Sequence, residues 1–471
     1  MLTTDRRNWI KRVTATLLIG SAPLPVRAFA KGNEPTKHFT ANGFGEGVAV
    51  VQHPAGEFHL GKTYVSYQGP LEDPYVAVYD HKSGKWDGPY QAGVSQLGKG
   101  PEFADKIDSH GKPTMLIDDA GYIHIFYGGH GGSKTNGLKN TLGGAHAGDN
   151  RHAVSKRPLD ISEWEDLDNI SPFGTYNQAI KMDNGDIYLF YRHGAHRSNW
   201  VYQKSTDNGR TFAAPVSFLK RKRRTDIEAT DSWYPFLAKG RGDEIICSFD
   251  YHVCRDAWPG RGHQGERHNL YYLTFNTTDG SWRNVKGEEL PMPLDRETAD
   301  AKALVFQNDE VWTFNQSATL DKNGLPHIGI AMGFDTGVRH GGPKAMRHFR
   351  WTGKQWTGGV NRGLPVARGD LYARDQNKVR FLLAWNDPDG DVRVGKISWW
   401  ESEDGGATFA LGKTLLERRG KAFATSAFIR NAHPDARVIV AESAPRGSKM
   451  RPMYLVGDNG PIGGVPEVMG G

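Results

Sequence analysis

Two histidines, two tyrosines and an arginine fall where a hairpin repeat would bring them to one place. His110 and His130 flank the runs Met115–Ile117 and Tyr122–Tyr127, which are rich in strand-forming residues, and Asp118–Gly121 between them is a turn sequence. With the turn centred near Ala120, residues equidistant from it lie opposite one another in an antiparallel pair, so both imidazoles reach the same sheet end. Tyr176 and Arg192 stand in the same relation about Asn184, and Tyr234 opens the next hairpin. Tyrosine, histidine and arginine without a carboxylate pair do not suit glycoside hydrolysis, in which two acids flank the scissile bond. They suit β-elimination beside a carboxylate. A guanidinium such as that of Arg192 pairs with the carboxylate and makes the adjacent carbon acidic, one His or Tyr takes the proton, and another protonates the leaving oxygen. Which group is base and which is acid stays open at this point. Arg192, His130, Tyr234 and the neighbouring His193 are the candidate substrate contacts.

The elements that must position these residues repeat along the chain. A strand-like run, a polar turn and a second run recur from near Gly47, His110, Tyr176, Tyr234, Asp300, Asp370 and Ser426, about 56 to 70 residues apart. Their turns are expected at His53–Gly56, Asp118–Gly121, Asp183–Gly185, Gly240–Asp243, Gln307–Asp309, Asp375–Asn377 and His433–Asp435. A third strand follows in several repeats, as at Tyr75–Tyr79, Trp200–Lys204, Leu270–Phe275 and Val394–Trp399, then a tight turn and an aromatic residue. Four strands per repeat and seven repeats predict an all-β chain, a seven-bladed β-propeller of four-stranded antiparallel blades over residues 31–471. His110, Tyr176 and Tyr234 then share one phase on adjacent blades, at the mouth of the central channel.

Two of the third turns carry a motif. Ser205–Phe212 and Ser402–Phe409 both fit S-x-D-x-G-x-T-F. This resembles the Asp-box of the bacterial neuraminidase repeat, in which the Asp and Gly shape the turn between the third and fourth strands and the aromatic packs between sheets. Asp207 and Asp404 are therefore read as structural.

Composition agrees with many short strands: 58 Gly, 13 Trp and 17 Tyr among 471 residues. No run of about eighteen apolar residues occurs, so no membrane span is expected in the mature chain. Residues 1–30 read as an export signal. Asp5-Arg6-Arg7 resembles the twin-arginine motif, Val13–Leu24 is a short apolar stretch, and Ala28-Phe29-Ala30 is a small-residue cleavage site. The chain is expected in the periplasm or outside the cell. The net charge of +6 favours anionic partners, and in an exported chain without a nucleic-acid motif that points to an acidic polymer. The run Lys220–Arg224 is read as a solvated loop. A monomer is expected. Only Cys247 and Cys254 are present, which excludes a disulfide framework. His252 and Cys254, two apart on an extended segment, point to one face, and with His263 and His268 downstream they form a candidate metal site, with His263 the weakest ligand.

Taken together, the spacing from His110 through His130, Tyr176, Arg192 and Tyr234 to His252 resembles that of a family, the seven-bladed ulvan lyases, over essentially the mature chain. Members cleave a sulfated algal polysaccharide of rhamnose 3-sulfate and uronic acids. The resemblance implies β-elimination at the uronate, no cofactor for catalysis and one structural zinc. It also implies that His110 and Tyr176 are the acid and base pair, that Arg192 neutralises the uronate, and that His130 and Tyr234 support it. Two other classes compete: a sialidase-like hydrolase, whose Arg-Ile-Pro motif is missing from this sequence, and a non-catalytic propeller that binds acidic glycans.

Overall fold

The computed structural model describes residues 37–99, 107–258, 260–261, 265–445 and 447–463; the expected export signal and His263 lie outside them. Among the described residues seven antiparallel sheets form a seven-bladed β-propeller. Blade two, for example, runs Thr114–Ile117, Ile123–Tyr127, Arg151–Ser155 and Trp164–Leu167, and blade three runs Thr175–Lys181, Ile187–Arg192, Trp200–Ser205 and Val216–Leu219. No helix of the described residues is long and apolar enough to cross a membrane.

The strands alternate their side chains between two faces, and each face is buried against the next blade. The described residues therefore form seven hydrophobic clusters, one for each seam between blades. Aromatic residues fill the seam between blades three and four, where Phe190, Trp200, Phe218, Trp233, Phe249 and Phe275 are almost inaccessible.

Both Asp-box turns join third and fourth strands. Asp207 accepts hydrogen bonds from Ser205 Oγ at 2.8 Å, Thr211 N at 2.9 Å and Thr211 Oγ1 at 2.6 Å, and Asp404 repeats the pattern with Ser402 and Thr408. Phe212 meets Phe126 and His152 of blade two edge-on, and Phe409 does the same with His348 and Phe381.

Three expectations about the repeat are corrected. The first hairpin turns at Leu60-Gly61, not at His53–Gly56: both turn residues have positive φ, 46° and 80°, the geometry that matches the twist of a two-residue hairpin. Leucine in such a turn gives no sequence signal. The fifth hairpin is Val311–Leu320 with Pro326–Phe334, turning at Asp321–Gly324; upstream, Asp295 caps a short helix, Arg296–Lys302, and Leu304–Phe306 adds to blade four instead. In blade seven the fourth strand is not local. Thr40–Phe44, from the other end of the chain, pairs with Met450–Gly457 and closes the ring. The basic run is also less free than a solvated loop would be: Lys222, Arg223 and Arg224 pair with Glu297, Asp256 and Asp226.

Candidate active site

In blade two the register Thr114↔Phe126 through Ile117↔Ile123, extended outward, sets His110 opposite His130. Their rings stack face to face, with centroids 3.7 Å apart and planes 10° from parallel. One carboxylate, which the sequence did not single out, holds the two rings together. Asp108 holds both: His110 Nδ1–H donates to Oδ1 and His130 Nδ1–H to Oδ2, each at 2.5 Å, while the His110 amide also donates to Oδ1 at 2.9 Å. Its signal was present, since Asp-Ser-His places a carboxylate two residues before a candidate catalytic histidine. Among the described residues this is also the one place where three potential ligand atoms lie within 4.8 Å of one another; the distances are those of hydrogen bonds between imidazole and carboxylate.

Blade three supplies the next pair, with a correction to the register. A bulge between Thr175 and Gln178 pairs Thr175, and not Tyr176, with Arg192. Tyr176 takes up the extra residue with φ of 62°, a conformation a bulky residue adopts only when its surroundings enforce it. The bulge turns its ring towards His110, 5.3 Å away between centroids, and towards Tyr234, 5.6 Å away. Arg192 is 1% exposed and makes no salt bridge among the described residues; its Nη1 donates to the Tyr234 hydroxyl at 3.1 Å and its Nε to the Gly194 carbonyl at 3.3 Å. A buried guanidinium without a carboxylate is costly.

Burial lowers the His110 and His130 pKa, with the Asp108 bonds opposing it, so both rings favour the neutral form at neutral pH. Burial would raise the Asp108 carboxyl, but the two imidazole bonds outweigh it and hold the group well below the usual carboxylate range. Burial, then the neighbouring Tyr234, pushes the Tyr176 phenol well above its ordinary value, so it keeps its proton.

His110, His130, Tyr176, Arg192 and Tyr234 line one cavity of about 950 Å³ at the channel mouth, which His146, Arg267, Lys344 and Arg368 also reach. His193 is not among them. It follows Arg192 in the chain and turns away, with Nδ1 against Asn140 Oδ1 at 2.9 Å and Nε2 against Ser171 Oγ at 3.0 Å. The candidate metal ligands divide. Arg197 Nε donates to Cys254 Sγ at 3.4 Å, and Ser232, paired with His252, donates to the His196 carbonyl at 2.7 Å, so residues 196–197 lie against the His252–Cys254 segment, a neighbour the sequence did not suggest. His268 instead pairs with Tyr251 and directs its ring to Val311 and Glu266, beside the cleft lined by Tyr251 and Val253. Alternate strand residues face opposite ways, so it is not brought to His252 and Cys254.

Residues 62–361 match the BNR repeat-containing family. Over 433 residues, 90% of this chain and 86% of the relative, the chain is 57% identical to Ulvan Lyase-PL25 of Pseudoalteromonas sp. (strain PLSV). Over 458 residues, 96% of each, it is 53% identical to an ulvan lyase of Nonlabens ulvanivorans. A solved structure of a PL25 ulvan lyase bound to -[GlcA(1-4)Rha3S]- shares 56% identity and superposes with a TM-score of 0.85, covering 90% of this chain and 96% of that one.

Proposed function

We propose, from the premise that this chain belongs to the BNR-repeat ulvan lyases, that it cleaves ulvan by β-elimination at the uronate, with His110 as base and Tyr176 as acid. The observation that carries the assignment is the Asp108 bridge. With both Nδ1–H groups committed to its carboxylate, each neutral imidazole has its Nε2 lone pair left for a proton. Arg192, buried without an acid partner, pairs with the uronate carboxylate and withdraws charge from it, which makes the C5 proton removable. His110 Nε2 takes that proton. The C4–O bond breaks, the C4–C5 double bond forms, and the Tyr176 phenol, which keeps its proton at neutral pH, protonates the departing oxygen. His130 and Tyr234 hold His110 and Arg192 in place. The test is the ultraviolet absorbance of the unsaturated uronate released from ulvan. His110→Ala and Tyr176→Phe should each lower kcat by about a hundredfold or more, and Arg192→Ala should act mainly on kcat. Near-normal elimination by both the His110 and the Tyr176 variants would overturn the assignment.

A structural zinc is a further part of this reading. His252 and Cys254 offer one nitrogen and one sulfur, the donor types zinc prefers, on the same side of a strand. Burial keeps the Cys254 thiol protonated, with Arg197 opposing it, and a metal would take it as thiolate. Of the expected ligands, His263 is the remaining partner and His268 is set aside by its register. When bound, the ion would pin the loop that follows the strand and take no part in the elimination. Protein purified without added metal should carry about one zinc per chain, and Cys254→Ala should lower the melting temperature; metal-free protein of full stability would refute the site. Export through the twin-arginine route rests on residues 5–30 alone.

A further inference from the structure

The inner strands carry a second cavity at the end of the channel away from the catalytic mouth. Tyr176 and Tyr234 reach the catalytic cavity, whereas Lys181 and Lys239 end the same strands, Thr175–Lys181 and Ala229–Lys239, at the far mouth. Five residues of strand separate each pair, about 16 Å at the usual rise. The chain between the mouths stoppers the channel. Residues 48–50 line the catalytic cavity and His53 and Pro54 the far one, and between them Gln52 Nε2 donates to the His110 carbonyl at 2.6 Å and Gln178 Nε2 to that of Pro235 at 2.9 Å. The two cavities share no lining residue.

The far cavity has a volume of about 390 Å³, within the range of small-molecule sites. Ile180, Phe236, Leu371, Trp399 and Phe428 give it apolar walls, and the rings of Trp399 and Phe428 stack. Five cations line it against one carboxylate, that of Asp370, which accepts from the Leu371 and Phe428 amides at 2.8 Å each. Four of the five have acids of their own outside the cavity: Lys181 with Asp119, Lys239 with Asp183, Arg430 with Glu57 and Arg437 with Asp458. Arg380 has none among the described residues. Its guanidinium lies 4.0 Å from the centroid of the Trp399 ring, and its Nε is buried without a hydrogen-bond partner. Arg430 leaves a second idle donor: Nη2 donates to the Lys181 carbonyl at 3.3 Å, but Nη1 is buried and unbonded. Buried N–H groups are costly to leave without an acceptor, and an unpaired buried charge more so.

We propose that this far mouth is a second, non-catalytic binding site, which takes a small aromatic carboxylate. The charge sets the valence: with Arg380 alone uncompensated, a single negative charge balances the cavity. The idle donors set the head group, since a carboxylate offers two oxygens to Arg380 Nε and Arg430 Nη1 in charge-assisted hydrogen bonds. The walls set the body, because flat rings pack against Trp399, Phe428 and Phe236 as aromatic pairs do. An inorganic dianion would bring more charge than Arg380 balances and leave those walls bare.

The experiment titrates the unaltered chain calorimetrically with 2-naphthoate, with its neutral analogue 2-naphthylmethanol and with inorganic phosphate. The acid should bind saturably, one per chain, and the alcohol about tenfold more weakly or worse, the scale of a hydrogen bond to a charged group. Phosphate should not compete. Arg380→Gln should weaken the acid by a similar factor while the melting temperature holds and ulvan elimination stays within about twofold, since Arg380 touches no part of the catalytic cavity. Saturating acid should leave the KM for ulvan unchanged. No saturable binding of the acid overturns the site, and so does equal affinity for acid and alcohol, a comparison that needs no variant. Phosphate binding as tight as that of the acid would make it a plain anion site, and a KM for ulvan that climbs with the acid would place the acid in the catalytic cavity; either result overturns the proposal.

Discussion

One carboxylate, Asp108, decides what two imidazoles can do. Asn at that position keeps the size but offers one acceptor and one N–H, so one histidine must turn its Nδ1 into an acceptor and move its proton to Nε2, where it blocks the lone pair the elimination needs. Asp108→Asn should fold normally and lose about a hundredfold or more in kcat. The pH profile separates this from mere loosening. Asp108 raises the His110 pKa against burial, so its removal should shift the acidic limb of the activity profile to lower pH while the plateau falls. A lower plateau with an unmoved limb would mean that Asp108 only packs. His110 and His130 were legible because hairpin symmetry about a visible turn pairs residues by arithmetic; the same arithmetic put Tyr176 opposite Arg192, where the bulge sets Thr175 instead, and it was the shared phase of the repeat that brought Tyr176 and Tyr234 to the same mouth. Asp108 was passed over because hairpin arithmetic reads pairs across a turn, whereas Asp108 reaches His110 from two residues away along the chain. His193 was placed in the site by adjacency to Arg192, yet it lies just past the end of that strand and turns to Asn140 and Ser171 instead.

At the scale of the blade, the turns between third and fourth strands reach across to the neighbour. In the seam between blades two and three, His124 and His152 lie ring to ring with Nδ1 and Nε2 2.9 Å apart, and Asn169 both meets His152 and donates to the Gly209 carbonyl of the Asp-box. A Cβ on Gly209, which has φ of 74°, would come within 2.7 Å of the His124 ring. The same plan recurs with His327, His348, Asn361 and Gly406. Asp207→Ala removes the acceptor of three hydrogen bonds in one of these turns and should destabilise the fold by about 1–3 kcal/mol, read as a lower denaturation midpoint with kcat on ulvan unchanged. A fall in kcat at full stability would instead bring Asp207 into the chemistry. The motif announced these turns because its Ser, Asp, Gly and Thr each fill a fixed backbone need. The Leu60-Gly61 hairpin carried no such residue set, and the Tyr176 bulge is imposed by packing on a residue that ordinarily avoids positive φ.

Across the whole ring, several histidines are buried in the neutral form. His53, His193 and His327 have their pKa lowered to about 4, in each case mainly by burial, and His152 and His348 are likewise held well below the ordinary histidine value by burial. Below pH 6.5 the unfolded chain takes up protons that these folded residues refuse, so their contribution to stability, complete above that pH, drains away as pH falls towards about 4. The melting temperature should therefore decline steeply across that interval, and a flat profile there would show that the seams admit charged imidazole. The seven-fold plan itself was legible from periodicity, but the origin of the last strand was not, since nothing local marks Thr40–Phe44 as the partner of a segment some four hundred residues away. That closure also sets an order of events during synthesis. Thr40–Phe44 leaves the ribosome among the earliest strands, and its partner Met450–Gly457 leaves among the last. While it waits, an exposed strand edge invites pairing with other nascent chains. Its sequence, Thr-Ala-Asn-Gly-Phe, has little intrinsic taste for a sheet, so it stays silent until the finished ring offers it a slot.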